Sequence, residues 1–175
     1  MPNLVISGSS EDGVSVSPFD FNDIIGSSLV NKGNGLIAGG DGGAASGKGD
    51  GVTGGEGGAG GYGVFAFESK IANDGAIRGG NGGSGGGDAA VAGAGGAGIS
   101  GYDVTIINTG TIAGGLSGDG EVRADALYLI GTNNFLSLGA SAVFTGAVDI
   151  EQASQLTFDQ GKGVGLSADA ALAAA

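Results

Sequence analysis

The sequence predicts an all-β solenoid, in which short strands wind into stacked rungs, with a glycine-rich lobe attached to it. One observation is a repeat: residues 71–80 read Ile-x-Asn-x-Gly-x-Ile-x-Gly-Gly, and residues 106–115 repeat that pattern with an offset of 35 at every position. A looser copy with two extra residues lies at 29–40, and a glycine-rich run follows every copy. A fixed period in this range is typical of stacked repeats, because each repeat can bury its apolar face only against its neighbours.

Short segments with alternating apolar residues recur along the chain. Each is interpreted as a strand of about 3–5 residues with one buried face. The strand candidates lie at 4–6, 14–16, 64–67, 104–106, 127–129, 136–138, 148–150 and 156–158. We expect the rungs to stack about 4.8 Å apart. The residues expected inside are Ile71, Ile77, Ile106, Ile112, Leu127, Leu129, Leu136, Leu138, Val148 and Ile150.

Three asparagines, Asn31, Asn73 and Asn108, occupy equivalent places in the repeat. Asparagine tolerates the left-handed backbone that a tight turn requires. On successive rungs, their amides are expected to form a hydrogen-bonded ladder along the turn. This structural role is favoured over contact with a ligand.

Three glycine-rich excursions, at 39–63, 79–98 and 114–120, leave from the same point of the repeat and shorten along the chain. Solenoids tolerate insertions of varying length at one rung position, and such insertions cluster on one face. Residues 1–175 are therefore predicted to form a single β-solenoid domain that carries these excursions.

The excursions contain Gly-Gly-x triplets, and a polyproline-II-type helix also has three residues per turn, with a rise of about 3.1 Å. In that geometry the x residues form one ridge: Glu56, Ala59 and Tyr62 in the first excursion, Asn81 and Ser84 in the second. The other two edges carry only hydrogen, so neighbouring backbones can approach closely and pair. The sequence predicts polyglycine-II-type helices packed side by side. The alternative is a flexible linker, since glycine loses the most entropy on ordering.

Charge and composition exclude several classes of function. The net charge is −12, and the six basic residues form no patch, which argues against nucleic-acid partners. No apolar run is long enough to span a bilayer, so membrane insertion is not expected. The chain has no Cys and no His, and its nearest carboxylate pairs, Glu11-Asp12 and Asp149/Glu151, lie apart from any basic cluster. We therefore predict that it is not an enzyme.

Calcium is the one cofactor that the sequence leaves open. The acidic residues of the glycine-rich loops are Asp41, Asp50, Asp74, Asp88 and Asp119. Acidic, glycine-rich nonapeptides in tandem build calcium-binding β-rolls. Here the acids are spaced irregularly and show no nonapeptide period, so solvated loop acids and no cofactor are the favoured interpretation.

With the repeats identified, the chain resembles the glycine-rich passengers of autotransporters. The segments that carry the resemblance lie at 108–115, 118–129, 134–140 and 145–150, and the resemblance covers about residues 29–160. It implies a right-handed parallel β-helix exported to the outer-membrane surface of a Gram-negative bacterium. The chain has a weaker similarity to phage tail-fibre tip adhesins built on packed polyglycine helices, and a third to glycine-rich ice-binding proteins.

These observations predict a non-enzymatic extracellular module, structural or adhesive, whose partner is a host or neighbouring-cell surface or a glycan. The residues expected to project from the excursions as ligand contacts are Asp41, Glu56, Tyr62, Asn81 and Asp88. Tyr62 is the only aromatic residue in the Gly-Gly-x runs, and it could stack on a sugar or pack across the lobe. The rival prediction is a filament subunit that self-associates end to end, because the open ends of a solenoid present unpaired backbone groups. Ice binding ranks third, since Thr105, Thr109 and Thr111 are few and irregular.

Overall fold

The structure of the chain is a computed structural model. It describes residues 27–45, 55–87 and 90–151 in full, together with the strand backbones at 3–6, 9–10, 14–16, 155–158 and 172–174. Within these ranges the regular structure is entirely β, without a helix, so no helix there is long and apolar enough to cross a membrane.

The strands follow one another in rungs of three. Rung 1 consists of β1 (Asn3–Ile6), β2 (Ser9–Ser10) and β3 (Val14–Val16). Rung 2 consists of β4 (Ser28–Asn31), β5 (Leu36–Ala38) and β6 (Val64–Phe67). Rung 3 consists of β7 (Lys70–Asn73), β8 (Ala76–Arg78) and β9 (Ile99–Tyr102). Rung 4 consists of β10 (Thr105–Asn108), β11 (Thr111–Ala113) and β12 (Leu127–Ile130).

Rung 5 consists of β13 (Phe135–Leu138), β14 (Val143–Thr145) and β15 (Val148–Ile150), and the chain continues to β16 (Gln155–Phe158) and β17 (Leu172–Ala174). The first strands of the rungs form sheet A, in the order β1-β4-β7-β10-β13-β16. The second strands form sheet B, in the order β2-β5-β8-β11-β14, and the third form sheet C, in the order β3-β6-β9-β12-β15-β17. All strand pairs in these sheets are parallel. The prediction of an all-β solenoid is confirmed.

The register of the sheets reproduces the repeat of the sequence. Ile71 pairs with Ile106 and Asn73 with Asn108, which is the offset of 35 residues seen in the motif. The ten apolar residues expected inside are all buried, as predicted. Burying a side chain of this size contributes about 1.5–3 kcal/mol. The solenoid is therefore held by continuous stacks of apolar side chains that run from rung to rung.

The glycine-rich excursions all lie between a strand of sheet B and the following strand of sheet C, so they stack at one corner of the solenoid and form a lobe. Each excursion has an outward and a return segment. Layer 1 comprises 39–45 and 55–63, layer 2 comprises 79–85 and 90–98, and layer 3 comprises 114–118 and 124–126. The third excursion runs on to the start of β12, past the bound of 120 expected from the glycine pattern, because its return contains no glycine.

Backbone hydrogen bonds at every third residue join the layers of the lobe. The N–H groups of Gly39, Gly42 and Ala45 donate to the C=O groups of Arg78, Asn81 and Ser84 at 2.7–2.9 Å. In the return segments, the N–H groups of Gly57, Gly60 and Gly63 donate to the C=O groups of Val91, Ala94 and Ala97 at 2.9–3.1 Å. Outward and return segments are also bonded to each other: the N–H groups of Gly80 and Gly83 donate to the C=O groups of Gly61 and Gly58, both at 2.8 Å. The described part of the lobe is thus a regular network of backbone bonds.

Candidate functional site

The outer face of sheet C carries a cluster of aromatic side chains. Alternation along the strands points Val64 and Ala66 inward and Phe65 and Phe67 outward on β6. The strand register then aligns the outward residues of the next rungs in two rows, one of Phe65, Ser100 and Tyr128 and the other of Phe67, Tyr102 and Ile130. Tyr62, at the end of the first excursion, lies beside this surface. We call Tyr62, Phe65, Phe67, Tyr102, Tyr128 and Ile130 the aromatic face; it contains all three tyrosines of the chain.

Two pairs of stacked rings give the aromatic face its geometry. The ring centroids of Phe67 and Tyr102 are 4.9 Å apart with 9° between the ring planes, and those of Tyr62 and Phe65 are 6.1 Å apart at 21°. The first separation matches the rung spacing of about 4.8 Å, so the parallel strands themselves set the stack. Such a pair contributes about 0.5–1.5 kcal/mol beyond its buried area. Tyr62 and Phe65 are nevertheless 50% and 47% exposed, so about half of each side chain remains open to solvent.

Carboxylates border the aromatic face on the side of rung 5. The Tyr128 hydroxyl donates a hydrogen bond of 3.0 Å to the Glu151 carboxylate, and this bond and the charge of Glu151 raise the pKa of Tyr128. Asp149 follows Tyr128 in the same row. Partial burial raises the pKa of Asp125, and the nearby charge of Asp149 adds to the rise. This border is therefore rich in acceptors that lie close to one another.

Two further acids stand at the turn that leaves sheet C. Glu68 and Asp103 have φ angles of 43° and 50°, a left-handed backbone that is uncommon for residues with a side chain, and Gly131 takes the equivalent position after β12 with φ 93°. The Asp103 carboxylate accepts hydrogen bonds from the backbone N–H and the side-chain Nδ2 of Asn133, at 2.9 and 3.2 Å. These bonds hold Asp103 in place, while Glu68 is exposed.

This combination of groups fits a ligand rich in hydroxyl groups. Exposed aromatic rings provide apolar surface, and ionised carboxylates accept hydrogen bonds. Arg123, one of the few cations in the described ranges, donates to the Gly114 carbonyl oxygen at 2.7 Å inside the lobe. In those same ranges, no three His, Cys, Asp or Glu side chains are grouped as metal ligands would be.

The structure separates the residues that the sequence singled out as ligand contacts. Tyr62 belongs to the aromatic face, whereas Glu56 is exposed on the return segment of layer 1. Asp41 and Asn81 bond within the lobe: the Asn81 N–H donates to the Asp41 carboxylate at 2.7 Å, and the Leu116 N–H donates to the Asn81 amide oxygen at 2.8 Å. Each of these side chains thus supplies an acceptor to the backbone of the next layer. Asp88 lies outside the described residues.

The three asparagines of the repeat are buried and stacked in register in sheet A. The Asn31 Nδ2 donates to the Asn73 Oδ1 at 2.8 Å, and the Asn73 Nδ2 donates to the Asn108 Oδ1 at 2.7 Å. Their Nδ2 groups also donate to the backbone of the turn or of sheet B, at the carbonyl oxygens of Ala76, Thr111 and Gly110. Ile6 and Leu138 stand at the equivalent positions of rungs 1 and 5. The amide ladder therefore spans the three rungs that carry excursions, and it fixes the corner between sheets A and B.

Sequence reasoning missed most of the aromatic face. The signal was present, because the offset of 35 residues that relates Ile71 to Ile106 also relates Phe67 to Tyr102. Following the repeat backward from the asparagine motif would have placed these two rings on adjacent rungs. The pairing of Tyr62 with Phe65 carries no such signal, because it depends on how the first excursion returns to sheet C.

Comparison with known proteins adds no further constraint. No known protein family, curated protein or solved structure matches the chain. The resemblance to autotransporter passengers consequently stays a prediction from the repeat pattern. What the molecule does has to follow from its aromatic face and its lobe.

Proposed function

We propose that the chain is a non-enzymatic structural or adhesive module of an extracellular surface, and that the aromatic face is its adhesive part. The observation that carries this proposal is the pair of exposed ring stacks on sheet C, built on strands whose spacing is fixed by parallel pairing. Exposed apolar side chains that are grouped together, unlike those scattered singly, often mark a binding surface. A rigid sheet also lowers the entropy lost when a ligand binds, because the rings are already oriented.

The favoured ligand is a glycan on a host or neighbouring-cell surface. Sugar rings offer C–H groups to aromatic surfaces and hydroxyl groups to acceptors, and both kinds of partner meet where Tyr128 contacts Glu151. Bacterial export to the outer-membrane surface is part of the same proposal, since the repeat resembles that of autotransporter passengers. Calcium is not needed for this function.

The proposal includes the finer architecture of the molecule. The winding of the rungs is taken to be right-handed, as in parallel β-helices, and the excursions to be polyglycine-II-type helices packed side by side. The support is the three-residue period of the backbone bonds in both segments of layers 1 and 2 and in the outward segment of layer 3. A β-ladder would alternate with a period of two, whereas three residues per turn is the period of the polyproline-II geometry.

Glycan binding is tested with the whole chain and a matched pair of variants. Tyr102 on sheet C and Ile107 on sheet A are both 36% exposed, so Tyr102→Ala and Ile107→Ala remove side chains of equal exposure from different faces. Glycan arrays identify a ligand, and calorimetry then measures its affinity for each variant. We expect Tyr102→Ala to weaken binding about 2- to 12-fold, corresponding to about 0.5–1.5 kcal/mol for a lost ring contact, and Ile107→Ala to leave it unchanged. Equal effects of the two substitutions, or no glycan retained at all, would contradict the proposal.

A filament subunit is the second candidate. Sheet B ends at β14, whereas sheets A and C each continue by one more strand, β16 and β17. The outer edge of β14 therefore has no partner strand among the strands that the structure describes. Unpaired strand edges favour pairing with another chain, and contacts that do not close produce fibres. Electron microscopy of the purified chain distinguishes the two candidates: filaments support self-assembly, and monodisperse particles support the adhesive module.

Ice binding has less support than either. The row of sheet A that contains Thr105 consists of Asn3, Ser28, Lys70, Thr105, Phe135 and Gln155, and is chemically mixed. A regular array of small hydroxyl-bearing residues is therefore missing from this row. An assay of thermal hysteresis would reveal ice binding directly.

A further inference from the structure

The lobe repeats one bonding relation from layer to layer. The outward segment of layer 2 donates from Gly80 and Gly83 to the return segment of layer 1. The outward segment of layer 3 likewise donates from Gly115 and Gly118 to the return segment of layer 2, both at 2.9 Å. The outward segments of layers 2 and 3 thus each use the second residue of a triplet to bind the antiparallel return segment of the layer before.

Layer 1 lacks such a neighbour. The N–H groups equivalent to those of Gly80 and Gly83 are those of Gly40 and Gly43, and within the described residues neither has a backbone acceptor. Both glycines are exposed. Rung 1 supplies no excursion beneath them, because only residues 11–13 separate β2 from β3.

The return segment of layer 1 presents matching acceptors. In layer 2 the C=O groups of Val91, Ala94 and Ala97 accept bonds from layer 1. Their equivalents in layer 1 are the C=O groups of Glu56, Ala59 and Tyr62, which accept no backbone bond from any described residue. The open face of layer 1 therefore offers donors on one segment and acceptors on the other, both three residues apart.

Glycine on this face is not required by the packing around it. In layer 2, a Cβ on Gly96 would overlap the Gly61 carbonyl oxygen, and a Cβ on Gly80 would overlap the Gly40 carbonyl oxygen. The equivalent glycines of layer 1 have room: a Cβ on Gly61 would lie 3.4 Å from its nearest neighbour, and one on Gly40 would have no atom within 4 Å. The open face of layer 1 thus carries glycine at the same positions as layer 2, although no described residue packs closely enough against this face to require it.

We propose that this face binds a glycine-rich strand of another polypeptide, with Gly-Gly-x repeats, which adds a further polyglycine-II-type helix to the lobe. The strand runs antiparallel to residues 39–45 and accepts hydrogen bonds from the N–H groups of Gly40 and Gly43. Its own N–H groups donate to the C=O groups of Glu56, Ala59 and Tyr62. The partner repeats the relation that layer 2 already has to layer 1, so the binding surface is continuous with an interface that exists within the molecule.

The chemistry of the face selects against other extended peptides. A proline-rich strand has a similar three-residue period but lacks the N–H groups that the three carbonyl oxygens require. A β-strand has a period of two and falls out of step with donors spaced three residues apart. Side chains at the bare positions of the bound strand would strike the outward backbone of layer 1, just as a Cβ on Gly57 or Gly60 of layer 1 would strike the carbonyl oxygens of Gly83 and Gly80 in layer 2.

The experiment uses the whole chain, labelled with ¹⁵N, and a synthetic (Gly-Gly-Asn)₄ peptide with (Ala-Ala-Asn)₄ as its control. In the free protein we expect the Gly40 and Gly43 amide hydrogens to exchange quickly and those of Gly80 and Gly83 to be protected. The glycine peptide should shift the Gly40 and Gly43 resonances and slow their exchange at least tenfold, and the alanine peptide should do neither. Gly61→Ala should keep the parent melting temperature and abolish the effect, whereas Ala59→Ser, on the exposed ridge of the same segment, should retain it.

Three results would overturn the proposal. One is protection of Gly40 and Gly43 in the free protein at every dilution, because the face would then already be covered. Another is an equal effect of both peptides on the Gly40 and Gly43 amides, or an effect of the glycine peptide on Gly61→Ala that equals its effect on the parent. The third is protection that grows with protein concentration alone, which would assign the face to a second copy of this chain rather than to a different polypeptide. None of these results depends on glycan binding by the aromatic face.

Discussion

Ile71, Ile106 and Leu136 stack inside the solenoid through their side chains, whereas Gly43, Gly58 and Gly83 meet in the lobe because they have none. The solenoid gains free energy from buried apolar area. The lobe buries little of it and relies on backbone hydrogen bonds, each contributing about 0.5–1.5 kcal/mol net, against the large entropy that glycine loses on ordering. The comparison suggests that the lobe depends on the solenoid, whose rungs start each excursion beside the previous one and so reduce the entropy of bringing the segments together.

The largest expected effect comes from a change in the solenoid, and it tests whether the lobe depends on the solenoid for its stability. Ile106→Ala removes a fully buried side chain from the middle of the solenoid, and we expect it to lower the free energy of unfolding by about 2–5 kcal/mol. Because the lobe is anchored on the same rungs, its amide protection should fall together with that of the strands. Denaturant unfolding and hydrogen exchange measure the two effects. A lobe that stayed protected in this variant would show that it folds independently.

The reciprocal change acts on the lobe alone. A Cβ on Gly82 would overlap the Gly93 carbonyl oxygen, so Gly82→Val should force the outward and return segments of layer 2 apart at a cost of about 1–3 kcal/mol for each backbone group left unpaired. Because the lobe can open locally, the loss of stability should be confined to it, and the amides of the solenoid strands should stay protected from hydrogen exchange. Ser84→Val, on the exposed ridge of the same segment, is the control and should be near neutral. If both variants melt with the parent, the glycine runs are linkers.

A smaller effect is expected where the two kinds of stabilisation meet. Asn73 lies in the middle of the amide ladder, and Asn73→Ala breaks its bonds to Asn31 and Asn108. We expect a loss of about 0.5–1.5 kcal/mol for each bond, since both neighbours keep a backbone partner. Thermal denaturation measures the loss, with Asn34→Ala, on the exposed turn before β5, as the control. A loss equal to that of the control would mean that the ladder contributes no stability.

The smallest effect concerns the border between lobe and aromatic face. Burial and Asp149 raise the pKa of Asp125 above its ordinary value of 3.8 in the folded state, so the folded state favours the protonated form. Asp125 therefore lowers stability once the pH rises through its folded pKa, and it costs nothing below 3.8. Asp125→Asn should raise the melting temperature slightly at pH 7. The gain in free energy of unfolding should be below about 1 kcal/mol, because Asp125 is only partly buried and solvent screens its charge. The gain should vanish below pH 3.8, and a gain that persisted there would assign it to another cause.

The sequence predicts the solenoid well because its signals are local and periodic. The spacing of Ile71 and Ile106 predicts both the rung and its register, since burial requires an apolar residue at the same place in each turn. The three asparagines were expected in a ladder for the same reason, and the structure places them there in register. The sequence gives no signal for the return of the third excursion, because Arg123 and Ala124 lie in a stretch without glycine and are held by hydrogen bonds to the carbonyl oxygens of Gly114 and Gly115 in the outward segment of the same excursion.

The aromatic face was harder to predict than the interior. An outward residue is not constrained by packing, so Phe65 and Tyr128 look like ordinary strand residues until the register aligns them. The roles of Asp41 and Asn81 were hidden by the distance of 40 residues between them, although they are neighbours across two layers. Sequence alone does not show which backbone N–H group a polar side chain such as Asp41 or Asn81 faces.

The offset of 35 residues has a consequence for how such a chain can change in length. One unit of this size contains an apolar stack position, a ladder amide, an outward ring and an excursion, as the pairings of Phe67 with Tyr102 and of Asn73 with Asn108 show. Duplication or loss of one unit by slippage in the gene would therefore add or remove a complete turn without breaking the register of the others. Protein length, the number of outward rings and the size of the lobe would then vary together, in steps of one unit.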